Sequence, residues 1–280
     1  MPSLRALLRL GLSGPVPAPN VPDSADFPAL PRPEQPLCII GDLHGMADLL
    51  DAMLNRIADQ PGAASTRILL VGDLIDRGPD SAAVLRRVHD LCRQEPDHVT
   101  CLMGNHERML LDFLANPATH ARRWLNAGGM DTLHSFGLPG RTQGRVQGRV
   151  QGRAQGHDPA SRFAALAAAL RAALPSGLHD WLAGLPLYWQ TDGLVVVHAD
   201  ADPALPMAQQ TEATLLWGHR TTQSPRSDQL WLIHGHRVVT TICPMAGRVA
   251  VDTGACHTGT LSALWLDRNG ARVIKVGTAP

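Results

Sequence analysis

The chain has 280 residues, 44% hydrophobic and 18% charged, enough apolar material for one large α/β domain or two small ones. Lys plus Arg and Asp plus Glu both number 25, so the net charge is zero and no global field favours nucleic acid or an acidic membrane surface. No apolar run approaches the ~20 residues that a bilayer crossing takes, and five scattered cysteines without a C-x-x-C pair indicate reduced thiols in a cytoplasmic protein.

The first twelve residues set Arg5 and Arg9 among leucines. A frayed amphipathic helix fits better than a signal peptide, because the arginines interrupt the apolar stretch and no A-x-A site follows closely. Residues 13–36 are rich in proline without periodicity, a tail or an extended surface strap. Residues 37–280 are then expected to form one domain.

Residues 37–40 read as a buried strand ending in Gly41-Asp42-Leu43-His44-Gly45. Apolar residues at helical spacing over 46–59 predict a helix, closed by Pro61-Gly62. A second strand, 68–71, ends in Gly72-Asp73-Leu74-Ile75-Asp76-Arg77-Gly78, and Pro79 and Asp80 open a helix over 81–94. A third strand, 99–103, ends in Gly104-Asn105-His106-Glu107, where another helix runs to about residue 114. This β-α-β-α-β order calls for a parallel sheet.

Residues 116–190 read as a helical cap. Trp124-Leu125-Asn126-Ala127-Gly128-Gly129 predicts a helix with a glycine stop. Residues 142–157 contain Gln-Gly-Arg in tandem, a four-residue period that matches neither a helix face nor a strand face. This is expected to be a disordered surface insertion rather than an RNA-binding tract, since no aromatics interleave the arginines. Helices are expected over 160–174 and from 175 to 183. Beyond residue 186 short strands are predicted at 194–197, ending at His198, and at 230–233, ending at His234-Gly235-His236. Further strands at 237–243, 248–251, 260–266 and 271–276 read as antiparallel, with Asn269-Gly270 as a hairpin turn. A parallel half followed by an antiparallel half predicts two facing sheets with helices outside.

Ligands gather beyond the carboxyl ends of strands in open α/β sheets. Asp42, His44, Asp73, Asn105 and His106 would therefore surround one crevice, a mixed oxygen and imidazole set that suits divalent transition metals. In extended backbone Asp42 and His44 would point the same way, Asp73 could bridge two ions, and His198 and His236 could complete the second. Two ions so bridged clamp a phosphoryl group and acidify the attacking water. Asp after a strand is also a common turn residue, and a histidine there can be structural; the joint pattern outweighs both. His234 is expected to support the ligands from behind or to be structural, and Asp252-Thr253-Gly254 to be a supporting turn.

The three motifs, in order, with the later Val197-His198-Ala199 and Gly235-His236, resemble the phosphoprotein phosphatase family of calcineurin-like metallophosphoesterases over about 37–266. The resemblance implies the double-sheet metallophosphoesterase β-sandwich, mixed parallel and antiparallel, flanked by helices. It implies two divalent metal ions, manganese first with iron or zinc also fitting: one held by Asp42, His44 and Asp73, the other by Asp73, Asn105, His198 and His236. It also implies His106 as the acid that protonates the leaving alkoxide, Asp76 as its orienting partner, and Arg77 as a phosphate clamp, with Asn105 also near substrate.

Three positions depart from the family pattern. Asp200 replaces a usual glycine and is expected to add negative charge near the metals. His219 stands where a second phosphate arginine is common, which leaves Arg220 as the candidate. Arg237 replaces a frequent threonine and could supply positive charge. The stretch 251–264 resembles the symmetrical bis(5'-nucleosyl)-tetraphosphatase branch, which generally lacks the equivalents of Asp76 and Glu107. Both are present here, so a serine/threonine protein phosphatase is the preferred reading and the diadenosine tetraphosphate hydrolase the alternative. Phosphoprotein or a small phosphoester is the expected partner, with no membrane or nucleic acid. A non-catalytic metal-binding scaffold is a third reading, disfavoured by the intact ligand set.

Overall fold

The computed structural model describes residues 27–139, 158–219 and 224–277. The repeats at 142–157 and Arg220 lie outside the described residues. The strands are β1 (Leu37–Ile40), β2 (Arg67–Leu70), β3 (Val99–Cys101), β4 (Tyr188–Thr191), β5 (Leu194–Val197), β6 (Trp231–His234), β7 (Arg248–Ala250), β8 (Thr260–Asp267) and β9 (Gly270–Gly277). The α-helices are α1 (Ala47–Ala58), α2 (Ser81–Gln94), α3 (Asn105–Ala115), α4 (Pro117–Trp124), α5 (Met130–Ser135), α6 (Pro159–Ala173), α7 (Leu178–Ala183), α8 (Glu212–Trp217) and α9 (Ala255–Thr258).

The strands form two sheets, ordered β3-β2-β1-β8-β9 and β4-β5-β6-β7. Side-chain alternation explains how they stack. Leu37 and Ile39 of β1, Leu69 of β2, Leu264 and Leu266 of β8, Val196 of β5 and Ile233 of β6 share one buried cluster between the sheets. Their neighbours Cys38, Ile40, Ile68, Leu70 and Trp265 join the helices in another. On the far side of the second sheet Val195, Val197 and Leu232 pack with Met207 and Leu215. Strands β1, β2, β5, β6 and β8 are therefore apolar on both faces, and the first four read as continuous hydrophobic runs. The buried residues of α1, Leu50, Met53, Leu54 and Ile57, recur at helical period and face β8 and β9. The fold is the α/β metallophosphoesterase sandwich, mixed sheets flanked by helices.

Several local expectations change. The second sheet is not antiparallel: β5, β6 and β7 run parallel, and only β4 opposes them. The antiparallel hairpin β8–β9 belongs to the first sheet, beside β1. Residues 237–243 form no strand, because His236 turns left-handed at φ 61° and breaks the extended run. The β8–β9 turn is Arg268-Asn269, with Asp267 paired to Gly270, one position earlier than predicted. The helix expected at 124–129 is instead the end of α4 followed by a five-residue π-type turn, Leu125–Gly129, that leads into α5.

Of the proline-rich start, residues 27–36 are described, and they are laid along the sandwich as a strap. The Phe27 ring meets Trp231 edge-on with centroids 5.2 Å apart, and the Trp231 indole N–H donates to the Pro28 carbonyl at 2.8 Å. The Arg67 amide donates to the Pro36 carbonyl at 2.8 Å, extending the β1–β2 ladder by one residue. No described helix is long and apolar enough to cross a membrane.

Candidate metal centre

Because β1, β2 and β3 are parallel, their carboxyl ends open on one rim, and β5 and β6 end on the same rim from the second sheet. Hydrogen bonds tie the two sheets there, and in one of them the His198 Nδ1–H donates to the Val71 carbonyl at 2.9 Å. The loops after β2 and β3 cross at Gly72 and Gly104. Gly72 has φ 95°, and a Cβ on it would lie 2.5 Å from the Gly104 nitrogen. Gly72→Ala should therefore cost about 1–3 kcal/mol, measured as a drop of several degrees in the thermal midpoint. An unchanged midpoint would show that the loops can separate freely.

Two clusters of ligand-type atoms lie at this rim, each within 4.8 Å: His44, Asp73 and His106, and Asp73, His198 and His236. Asp73 is common to both. Its Oδ2 lies 3.5 Å from His44 Nε2, and its Oδ1 lies 3.4 Å from His198 Nε2. Asn105 joins the second cluster, its Oδ1 being 2.9 Å from His198 Nε2 and 3.0 Å from His236 Nδ1. Asp42 is buried beside them, but both its oxygens accept the His236 amide, at 3.0 and 3.1 Å, and His106 rather than Asp42 completes the first cluster.

The donor chemistry fits divalent cations. His44 donates through Nδ1 to the Ile75 carbonyl at 2.8 Å, and His198 through Nδ1 to Val71, which leaves each Nε2 lone pair facing the shared carboxylate. Burial pushes the His44 imidazole down to about 3 and His236 to about 4, so both are neutral bases at pH 7, and burial also lowers His198. Burial, with the charges of Asp252 and Asp73, pushes the Asp42 carboxyl well up, a concentration of buried negative charge that a cation would relieve. Asp252 itself is raised to about 6, chiefly by burial.

His106 differs from the other site histidines. Burial disfavours its imidazolium, yet Asp73 and the hydrogen bond to Asp76 outweigh burial and raise it. Its Nδ1 lies 2.6 Å from Asp76 Oδ2. Arg77 spans the crevice, with Nη1 donating to His44 Nε2 at 2.9 Å and Nη2 lying 3.0 Å from His106 Nε2. His44, Asp73, Asp76, Arg77 and His236 all have left-handed φ, five of seven such non-glycine positions among the described residues. Strained backbone of this kind concentrates at functional sites. It also replaces the expected geometry of Asp42 and His44: at φ 42° the backbone of His44 is not extended, and a turn rather than strand alternation directs its ring.

Sequence reasoning left Glu107 without a role. It is buried, and its two oxygens accept the amides of Asp73, Leu74 and Gly104 at 2.8, 2.8 and 3.0 Å, which pins the Asp73 loop to the start of α3. Asp200 does not add free charge: Arg248 neutralises it in a buried ion pair, and its Oδ1 also accepts the Ala201 amide at 2.7 Å. Arg237 is exposed. His234 is buried, bonded through Nδ1 to the Gly235 carbonyl, and belongs to neither cluster.

This fold, with two metal-capable clusters sharing one carboxylate at its rim, is of the metallophosphoesterase class. The family model for calcineurin-like phosphoesterases matches residues 36–276, and the chain belongs to that family. Among curated relatives, a symmetrical bis(5'-nucleosyl)-tetraphosphatase of Pseudomonas fluorescens (strain SBW25) is 40% identical over 72 residues, covering 26% of this chain and 23% of that protein. Serine/threonine-protein phosphatase 1 of Salmonella typhimurium (strain LT2) is 35% identical over 91 residues, covering 32% of this chain and 38% of that protein. The aligned stretches thus span well under half of the relatives' own length. A solved protein serine/threonine phosphatase from Saccharomyces cerevisiae superposes with a TM-score of 0.56 at 12% identity, over 89% of this chain and 81% of that one, a likeness of fold.

Proposed function

We propose that the protein hydrolyses phosphomonoesters of alcohols, and that phosphorylated serine and threonine side chains of proteins are its substrate class. The observation that carries this reading is the 2.6 Å contact between His106 and Asp76 beside the Arg77 guanidinium. A seryl or threonyl alkoxide is a poor leaving group and needs a proton, whereas the nucleotide phosphate released from a dinucleoside tetraphosphate leaves readily without one. A buried, carboxylate-held imidazole next to a phosphate-binding fork is the equipment for the harder case.

Asp42, His44 and Asp73 would hold one divalent ion, and Asp73, Asn105, His198 and His236 the other, with manganese the first candidate and iron or zinc also suited to these donors. When bound, such a pair neutralises phosphate charge and lowers the pKa of water at the site. Arg77 binds the phosphate oxygens through its planar fork. His106 keeps its Nδ1 proton on Asp76 and gives its Nε2 proton to the departing alkoxide. Glu107 keeps the Asp73 loop from shifting as charge moves. Asn105 borders the substrate, and Arg220, outside the described residues, is the sequence's candidate for a second phosphate contact. Residues 37–280 act as one catalytic domain with a helical cap over 116–190, and the reduced thiols support a cytoplasmic location.

A second reading, hydrolysis of symmetrical bis(5'-nucleosyl)-tetraphosphates, is favoured by the Pseudomonas relative. The deciding experiment supplies manganese and compares kcat/KM for a phosphoserine or phosphothreonine peptide with that for diadenosine tetraphosphate. The peptide is expected to be preferred. A clear preference for the dinucleotide would replace this reading with the second one, and no turnover of either by metal-loaded protein would leave a binding scaffold.

A further inference from the structure

The carboxylate that holds His106 is itself held by the helical insertion. Asp76 is fully buried and has φ 72°, a left-handed conformation that costs energy for a residue with a side chain. Its Oδ2 accepts the Trp124 indole N–H at 3.1 Å as well as His106, and its Oδ1 accepts the Thr132 hydroxyl at 2.5 Å. Its backbone amide donates to the hydroxyls of Thr132 and Ser81, both at 3.0 Å. Trp124 ends α4 and Thr132 lies in α5, so the π-type turn between them places both donors on one carboxylate.

The turn is shaped to approach this closely. The Trp124 ring stacks on Phe113 with centroids 4.7 Å apart, and a Cβ on Gly129 would lie 2.5 Å from the ring. Gly128 has φ 123°, and a Cβ there would lie 2.7 Å from the Arg77 nitrogen. Paired glycines thus let the turn fit between the indole and the Arg77 backbone. π-type turns recur at functional sites, and this one touches the proton donor's partner and the phosphate clamp together.

We propose that Trp124 and Thr132 are positioning residues for leaving-group protonation: by fixing both oxygens of Asp76 they hold the His106 ring at the angle from which Nε2 reaches the departing oxygen. The proposal rests on the acid role given to His106 above. A purely structural role would lower activity on every substrate alike. A positioning role acts only where the leaving group needs its proton, so the loss must grow with leaving-group basicity.

The test compares kcat/KM for p-nitrophenyl phosphate, phenyl phosphate and a phosphoserine peptide, with metal content measured in parallel. Wild type is set against Thr132→Val, Thr132→Ser, Trp124→Phe and His106→Asn. Thr132→Val and Trp124→Phe are expected to stay within about threefold of wild type on p-nitrophenyl phosphate and to lose about 10- to 100-fold on the peptide, a partial loss of a general-acid contribution of about 10²- to 10⁴-fold. Thr132→Ser, which keeps the hydroxyl, should restore most of that loss. Trp124→Phe keeps a ring against Phe113, so it provides a folded variant if Thr132→Val does not fold. If His106→Asn shows the graded loss while Thr132→Val and Trp124→Phe show the same factor on all three substrates, the positioning role is overturned and the acid role stands. If His106→Asn is itself indifferent to the leaving group, the acid role falls, and this inference with it.

Discussion

Replacing Asp73 by Asn is expected to reduce turnover of p-nitrophenyl phosphate by about 10³-fold or more and to lower bound metal from two ions per chain towards none. Asn matches Asp in shape, so the buried site should still fold. What changes is charge and denticity. Asp73 alone faces both imidazole sets, at 3.5 Å from His44 and 3.4 Å from His198, and its Oδ1 also accepts the His106 amide at 3.0 Å. An amide offers one oxygen where two are used, and its NH₂ would meet the lone pair of an imidazole or the cation itself. Metal analysis by mass spectrometry alongside kinetics checks the result. A variant that retained two ions and wild-type turnover would show that Asp73 does not bridge them.

His106→Asn separates two roles that the geometry alone leaves superposed. The Nε2 of His106 lies 3.9 Å from Asp73 Oδ2, close enough to count with His44 as a ligand, while its Nδ1 is committed to Asp76. As the acid, His106 should cost about 10²- to 10⁴-fold in kcat on an alkyl phosphoester when removed, with metal content near wild type, because Asp42 stands beside the cluster to serve as the oxygen donor. As a ligand, its loss should take one ion with it. Stoichiometric metal with collapsed turnover is the expected result; loss of an ion would reassign the residue.

The convergence of these side chains at the rim is legible in the sequence because it depends on position along parallel strands. Once 37–40, 68–71 and 99–103 were read as strands joined by helices, the residues just past each had to meet. His198 and His236 were legible for the same reason on the second sheet. Legibility ended where the backbone leaves regular conformations. His44 and His236 reach the site through left-handed turns, so strand alternation gave the right neighbours by the wrong geometry. The order of the second sheet was hidden because apolar runs buried on both faces do not record the direction of their pairing. Trp124 carries no such signal, since a tryptophan ahead of two glycines reads locally as a helix end. Only the tertiary approach of that turn to Asp76 reveals its polar contacts. The paired charge of Asp200 was invisible for a similar reason: Arg248 lies 48 positions away.

The strap at residues 27–36 bears on how shortened versions of this chain should be cut. Composition invites a trim at residue 36, where proline-rich sequence gives way to the first strand. Such a cut would strip the Phe27 ring from Trp231, leave the indole N–H without the Pro28 carbonyl, and remove the Pro36 carbonyl that accepts the Arg67 amide at the start of β2. An uncovered aromatic surface is an invitation to self-association, so a version meant to remain dispersed at high concentration should begin upstream of Phe27.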